Sequence, residues 1–172
     1  MEVLERFAQG DLEAFEALFR QFQGQVYGWI VCIVRDRGIA EDLTVETFWR
    51  IYRAHARFHP EGNFGAWARR IATNAALDHL KTARREVALP DDLAAGAQPD
   101  PAVHRETREQ IERAFRELSA RLQVAATLAL VEEESYEQIA EALGISVGAV
   151  KSRVFRAVRL LRGKLKGLGV EP

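Results

Sequence analysis

Three observations predict an all-α fold of two small helical domains joined by a flexible linker. Apolar residues recur at three- and four-residue steps on either side of a central segment, the period of half-buried helices. No alternating apolar and polar run bounded by turn residues occurs, so no strand is expected. The segment 87–106 holds one base against four acids, three of the five prolines and no aromatic, which is linker composition. The domains are accordingly placed at residues 1–86 and 107–172. A chain of 172 residues, 48% of them hydrophobic, has enough apolar material for a real core in each.

Each element has a local reason. The first long helix carries Leu12, Phe15, Leu18, Phe19, Phe22, Val26, Trp29, Ile30 and Ile33, with Asp11 as N-cap and Gly38 beyond its end. A second runs from about Ala40 through Leu43, Phe48, Ile51 and Tyr52 until His59-Pro60-Glu61-Gly62 stops it. The third begins near Phe64, carries Trp67, Ile71, Ala75 and Leu80, and ends in basic residues around Arg84. Trp67 is expected to pack in the core. After the linker, Ile111, Phe115, Leu118 and Leu122 share one face of a fourth helix. Here Ser119 offers an N-cap.

Composition excludes several classes of function. The single cysteine, Cys32, rules out a disulfide framework and multi-cysteine metal sites, and its place on an apolar face marks a core thiol. His55 and His59 have the spacing of two ligands on one helix face, but the sequence places no third ligand. No phosphate-binding glycine loop or nucleophile elbow is present. Neither metal, cofactor nor catalysis is therefore expected. The longest apolar run, Trp29 to Val34, is far short of the roughly 18 residues of a membrane span, and the amino terminus lacks the order of a signal peptide. A soluble cytoplasmic protein without membrane contact is expected.

The sharpest local signal lies between Ser135 and Arg153. Ser135 followed by Gln138 is a capping box, Gly144 suits a left-handed C-cap, and Ser146 caps a second helix two positions later. Ile139, Leu143, Ile145 and Val150 supply the core of the pair, with Ala140 small enough for close contact. This is helix-turn-helix chemistry. All seven bases from Lys151 to Lys166 fall in a stretch without one acid. Val150, Val154, Ala157 and Leu161 can face inward, leaving Lys151, Ser152, Arg153 and Arg156 for DNA.

Two further blocks, Ala40 to Arg50 and Phe64 to Leu80, resemble region two of bacterial RNA polymerase sigma factors. The helix-turn-helix resembles region four, and the order of blocks matches the small extracytoplasmic-function (ECF) branch. The resemblance implies that Asp42, Leu43, Glu46, Phe48 and Trp49 dock on the clamp of the largest subunit of RNA polymerase core. The family usually has Gln where this chain has Val45. It also implies that the loop 58–63, through Asn63, and the adjoining helix, through Arg69, Arg70, Asn74, Asp78, Lys81 and Arg84, recognise and open the minus-ten element. Opening a duplex requires unstacking, offset by cations on the freed strand and pockets for its bases. Ser146, Lys151, Ser152, Arg153, Arg156 and Arg159 would form the surface for the minus-thirty-five element, with Ser152, Arg153 and Arg156 as its readers and Arg159 and Arg162 nearer the backbone. An anti-sigma factor that masks these surfaces is a further implied partner.

The linker passes a length test under this reading. Its twenty residues span at most about 66 Å at roughly 3.3 Å each. Promoter elements two duplex turns apart lie roughly 70 Å from each other, and the domain radii cover the difference. The main rival is a stand-alone helix-turn-helix regulator with a helical sensing or dimerisation domain, which binds duplex DNA as a dimer without polymerase. A helical adaptor that binds only protein would leave the basic block without a purpose.

Overall fold

The computed structural model describes residues 2–87 and 102–167, and among them no strand occurs. The order is α1 (Glu2–Ala8), α2 (Leu12–Val34), α3 (Arg37–Arg53), a 3-10 turn (His55–Arg57), α4 (Phe64–Val87), α5 (Ala102–Arg116), α6 (Ala120–Leu130), α7 (Tyr136–Leu143) and α8 (Val147–Gly167). Most of the expected linker lies outside the described residues. Its last five positions belong to α5, so the carboxyl-terminal helical region begins earlier than 107.

In the amino-terminal half, α2, α3 and α4 pack against one another. Asp11 caps α2 as expected, accepting from the Ala14 amide at 3.1 Å. Arg6 pairs with the same carboxylate at 2.7 Å, and this hydrogen bond holds the Asp11 carboxyl below its ordinary range. The far end of α2 differs from expectation. Arg35, at φ 57°, takes the left-handed cap position, and Gly38 lies inside α3. Asp36 accepts from the Ile39 amide at 2.9 Å, so the next helix starts too soon for Gly38 to serve as a cap. Arg35 offsets some of its conformational cost by placing its guanidinium over the Phe115 ring, 5.9 Å from the centroid.

Helix α1 was not expected, because seven residues are too few to show a period. Its Phe7 is fully buried, ringed by Phe15, Phe58, Phe64 and Trp67 with centroids 5.6–6.3 Å away. Burial of such a side chain contributes about 1.5–3 kcal/mol. Trp67 thus packs with aromatic rings, as the sequence suggests. The second helix ends at Arg53, earlier than the His-Pro stop. His55 turns its Nδ1 to the Ala8 carbonyl at 3.1 Å and packs on Phe7, which tightens the chain into the 3-10 turn.

In the carboxyl-terminal half, α6 and α7 pack on α8, and α5 joins them through Ala114, Leu118, Ala126, Ala157 and Leu161. The single fourth helix expected from the sequence is two. The chain breaks after Arg116, buries Leu118, and restarts at Ser119 with an extended backbone. The Ser119 side chain makes no capping bond. The helix-turn-helix forms as read: Ser135 and Gln138 make the reciprocal capping box, Gly144 is left-handed at φ 63°, and Ser146 accepts from the Ala149 amide. Ile139 and Val150 are fully buried between α7 and α8. Ser135→Ala is expected to cost about 1 kcal/mol of stability. Urea unfolding checks this, and an unchanged midpoint would mean the box is not closed in solution.

The two halves touch. One continuous apolar cluster runs from Phe7, Ile30 and Ala72 through Val124, Leu128 and Ile139 to Val154. Helix α4 contacts both α6 and α7, and α2 contacts α6.

Candidate nucleic-acid and protein interfaces

The first surface is one side of α3. A helix turns about 100° per residue, so Asp42, Val45, Glu46 and Trp49 share a face. Val45 and Trp49 are 68% and 59% exposed, and both carboxylates stand at the surface beside them. Leu43 and Phe48 were expected on this docking face, and the structure places them on the other side. They are buried with Ala40, Thr44, Thr47 and Ile51 against the core, so they support the helix from its inner side. Val45 takes their place on the outward patch. Glu46 is braced by Arg50, whose Nη2 lies 2.5 Å from Oε1. Trp49 stacks near Tyr52 with centroids 6.3 Å apart.

The second surface is α4 and the loop before it. Asn63 caps α4, its Oδ1 accepting from the Ala66 amide at 3.1 Å, which leaves its amide hydrogens for a ligand. A cleft of about 330 Å³ lies beside it, lined by Phe22, Trp29, Asn63, Arg69, Glu141 and Ala142. Arg70, Asn74, Asp78 and Lys81 follow one another at helical spacing on the exposed stripe of α4. Asp78 lies 3.4 Å from both Arg50 and Lys81, so its charge is shared between two cations. Arg69 and Arg84 differ from the others. Both are half-buried against the carboxyl-terminal half, and loss of water lowers the pKa of each guanidinium.

The third surface is α8. Val150, Val154, Ala157 and Leu161 are buried as expected. Lys151, Ser152, Arg156, Arg159 and Arg162 face solvent. Arg156 is preset by Ser152, whose hydroxyl accepts from Nη2 at 2.9 Å. Ser146 stays exposed but spends its acceptor on the cap. Arg153 is half-buried, and its pKa is lowered first by burial and then by the like charges of Arg121 and Arg156. Arg121 and Arg156 thus lie near enough to Arg153 for their charge to act on it.

Sequence reasoning missed two residues of this surface. Arg121 comes from α6, outside the helix-turn-helix block, so no spacing could link it to α8. Phe155 is 68% exposed between Lys151 and Arg159. A large aromatic on a polar helix face was a signal available in the sequence, masked by the apolar residues around it. Among the described residues, no group of three or more His, Cys, Asp or Glu could hold a metal ion. No helix there is long and apolar enough to cross a membrane.

A helix-turn-helix with a basic outer face defines a DNA-binding protein, and α4 carries a second row of cations in the other half. Comparison with known proteins narrows that class. The Sigma-70 region 2 family matches residues 18–86 and Sigma-70 region 4 matches residues 108–161. The chain is 34% identical to the RNA polymerase sigma factor CarQ of Myxococcus xanthus over 98% of both chains. It is 34% identical to the RNA polymerase sigma-H factor of Pseudomonas aeruginosa, covering 91% of this chain and 88% of that one. In fold it is similar to CnrH bound to the cytosolic domain of CnrY, with a TM-score of 0.61, 22% identity and 96% of each chain covered. The sigma factor RpoE of Bartonella quintana, in complex with the anti-sigma factor NepR, matches with a TM-score of 0.60 and 24% identity over 90% of this chain and 98% of that one. The chain is also 32% identical to the ECF RNA polymerase sigma-E factor of Haemophilus influenzae over 96% of this chain and 95% of that one, and it belongs to the ECF family of RNA polymerase sigma factors. It is a transcription initiation factor that works with RNA polymerase core at promoter DNA.

Proposed function

We propose a division of labour among the three surfaces. The outward face of α3 docks on the clamp of the polymerase largest subunit, Val45 and Trp49 supplying apolar area and Asp42 and Glu46 fixing register. The loop at Asn63 and the stripe Arg69, Arg70, Asn74, Lys81 and Arg84 hold the opened minus-ten strand, with Asp78 as their orienting acid. Helix α8, through Lys151, Ser152, Arg153, Arg156 and Arg159 and with Arg121 and Phe155, reads the minus-thirty-five duplex. Ser146 places that helix. The domains that carry these tasks are residues 1–86 and, allowing for the earlier start of α5, 102–172. The protein acts by binding and positioning alone, without catalysis.

The observation that carries this reading is the outward patch on α3. Large apolar side chains between carboxylates on an otherwise well-packed helix point to a protein partner. An anti-sigma factor is the proposed regulator, in keeping with the RpoE complex with NepR, and it would mask the α3 face and α8.

Gel filtration of the purified chain with bacterial core RNA polymerase tests the reading. Co-migration at submicromolar concentration, with promoter-dependent transcripts only when both are present, is the expected result. Absence of co-migration together with tight binding to duplex DNA alone would establish the stand-alone regulator instead.

A further inference from the structure

The acidic turn Glu132-Glu133-Glu134 between α6 and α7 belongs to none of the three surfaces, yet it sits on one of them. Glu134 makes an ion pair with Arg69 across 65 positions of the chain, and both side chains are largely shielded from water, at 14% and 18% exposure. The Arg69 guanidinium also lies over the Trp29 ring, 5.6 Å from its centroid. Glu132 and Glu141 act on it through their charge. The exposed Arg70 guanidinium lies beside Gly144 at the helix-turn-helix turn, where an added Cβ would come within 2.8 Å of it. Arg84 donates to Gln123 Oε1 at 2.7 Å and to the Arg116 carbonyl at 3.1 Å. Three arginines assigned to the promoter strand are thus engaged by the carboxyl-terminal half.

The chemistry of these contacts is that of a stand-in. A carboxylate offers a guanidinium the same oxygen pair that a phosphate does. The turn that delivers it is held at Glu133 in a left-handed conformation, φ 53°, unfavourable for a side chain of this kind. On either side of Glu133, Glu134 pairs with Arg69 of α4, and Glu132 lies near enough to Cys32 of α2 to raise the thiol's pKa. The second oxygen of Glu134 is buried without a hydrogen-bond partner, so the pair is incompletely satisfied. Such a pair adds little net stability and suits a contact that must exchange.

We propose that the Glu132–Glu134 turn and Glu141 are an intramolecular substitute for the promoter strand, closing the free chain over the arginines of α4. The substitute is displaced when polymerase draws the halves apart and the opened strand takes its place. This inference rests on the reading of α4 as the strand-gripping helix.

Cys32 reports the closure, because it is the only cysteine and its half-buried thiol feels Glu132 of the turn. Burial and the Glu132 carboxylate push its thiol up to about 11, so near pH 8 it reacts slowly. The test compares the full chain with the double variant Glu134→Gln, Glu141→Gln, which keeps Glu132 beside the thiol. A charge-matched control carries Glu5→Gln and Glu16→Gln, and far-UV circular dichroism verifies helix content. Two quantities are read without polymerase: the rate of thiol modification and the anisotropy of a fluorescein-labelled single-stranded thymidine 20-mer. The proposal expects modification about tenfold faster and oligonucleotide affinity about tenfold higher in the double variant, with the control unchanged. Adding Arg69→Gln to the double variant is expected to remove the affinity gain. Equal rates and affinities in wild type and double variant would overturn the closure. A faster thiol with unchanged affinity would keep the closure, refute the strand-gripping reading of α4, and so overturn the substitute role.

Discussion

Charge reversal at Asp42 and Glu46, both to lysine, is expected to abolish binding to core polymerase. The two carboxylates flank Val45 and Trp49 on one face of α3, so lysines there place like charge against any basic partner surface. Truncating one partner of a desolvated interfacial pair costs about 2–5 kcal/mol, and reversal adds repulsion, so a loss of at least about a thousandfold is expected from the two changes. The fold is expected to survive, because both residues are exposed and the buried side of α3 is untouched. Arg50 loses its brace to Glu46 and keeps only the longer contact to Asp78. Titration of labelled protein with core measures the effect. Polymerase affinity within a few fold of wild type would remove the clamp assignment from α3. Trp49→Ala serves as the companion, with a loss of about 2 kcal/mol or more if the aromatic is the anchor.

The second large effect is expected on α8. Arg153→Ala with Arg156→Ala should weaken recognition of the upstream element by about 1–3 kcal/mol for each base that is no longer read, while binding to core stays as it was. The structure sharpens the reason. Arg153 is half-buried, and burial first and the like charges of Arg121 and Arg156 second lower its pKa, so it is set more firmly on α8 than a fully solvated arginine. Its removal should not unfold the domain. Lys151→Ala is the contrasting case: without an exposed ammonium on phosphate, affinity would fall evenly across sequences and the salt slope would drop by about one. Promoter binding by holoenzyme at several salt concentrations separates the two. Loss of core affinity in the double arginine variant would show that α8 serves another purpose.

Local chemistry was the part of this protein most open to reading from sequence. Asp11 and the Ser135 box act within four residues of themselves, and Gly144 answers a backbone need at its own position. Longer-range features escaped. Gly38 looked like a terminator until Asp36 claimed the start of α3. Leu43 and Phe48 carry the family pattern, but the pattern does not say which side of a helix is already occupied. Arg121 joins Arg153 only after α6 and α8 pack. The contacts of Arg69, Arg70 and Arg84 lie 32 to 74 positions away in the chain, and no period or spacing could announce them. Sequence reasoning saw two helical regions and their order, whereas their mutual contact is a property of the folded whole.

The apolar cluster shared by both halves has a consequence for assembly. Parting the halves exposes that surface to water, a free-energy cost met once, whichever ligand arrives first. Core polymerase that binds the parted form therefore raises affinity for promoter DNA, and DNA must raise affinity for core by the same factor, because linkage between binding sites is reciprocal. A regulator that gripped the cluster's two sides together would need no contact with any DNA-reading residue to silence all of them.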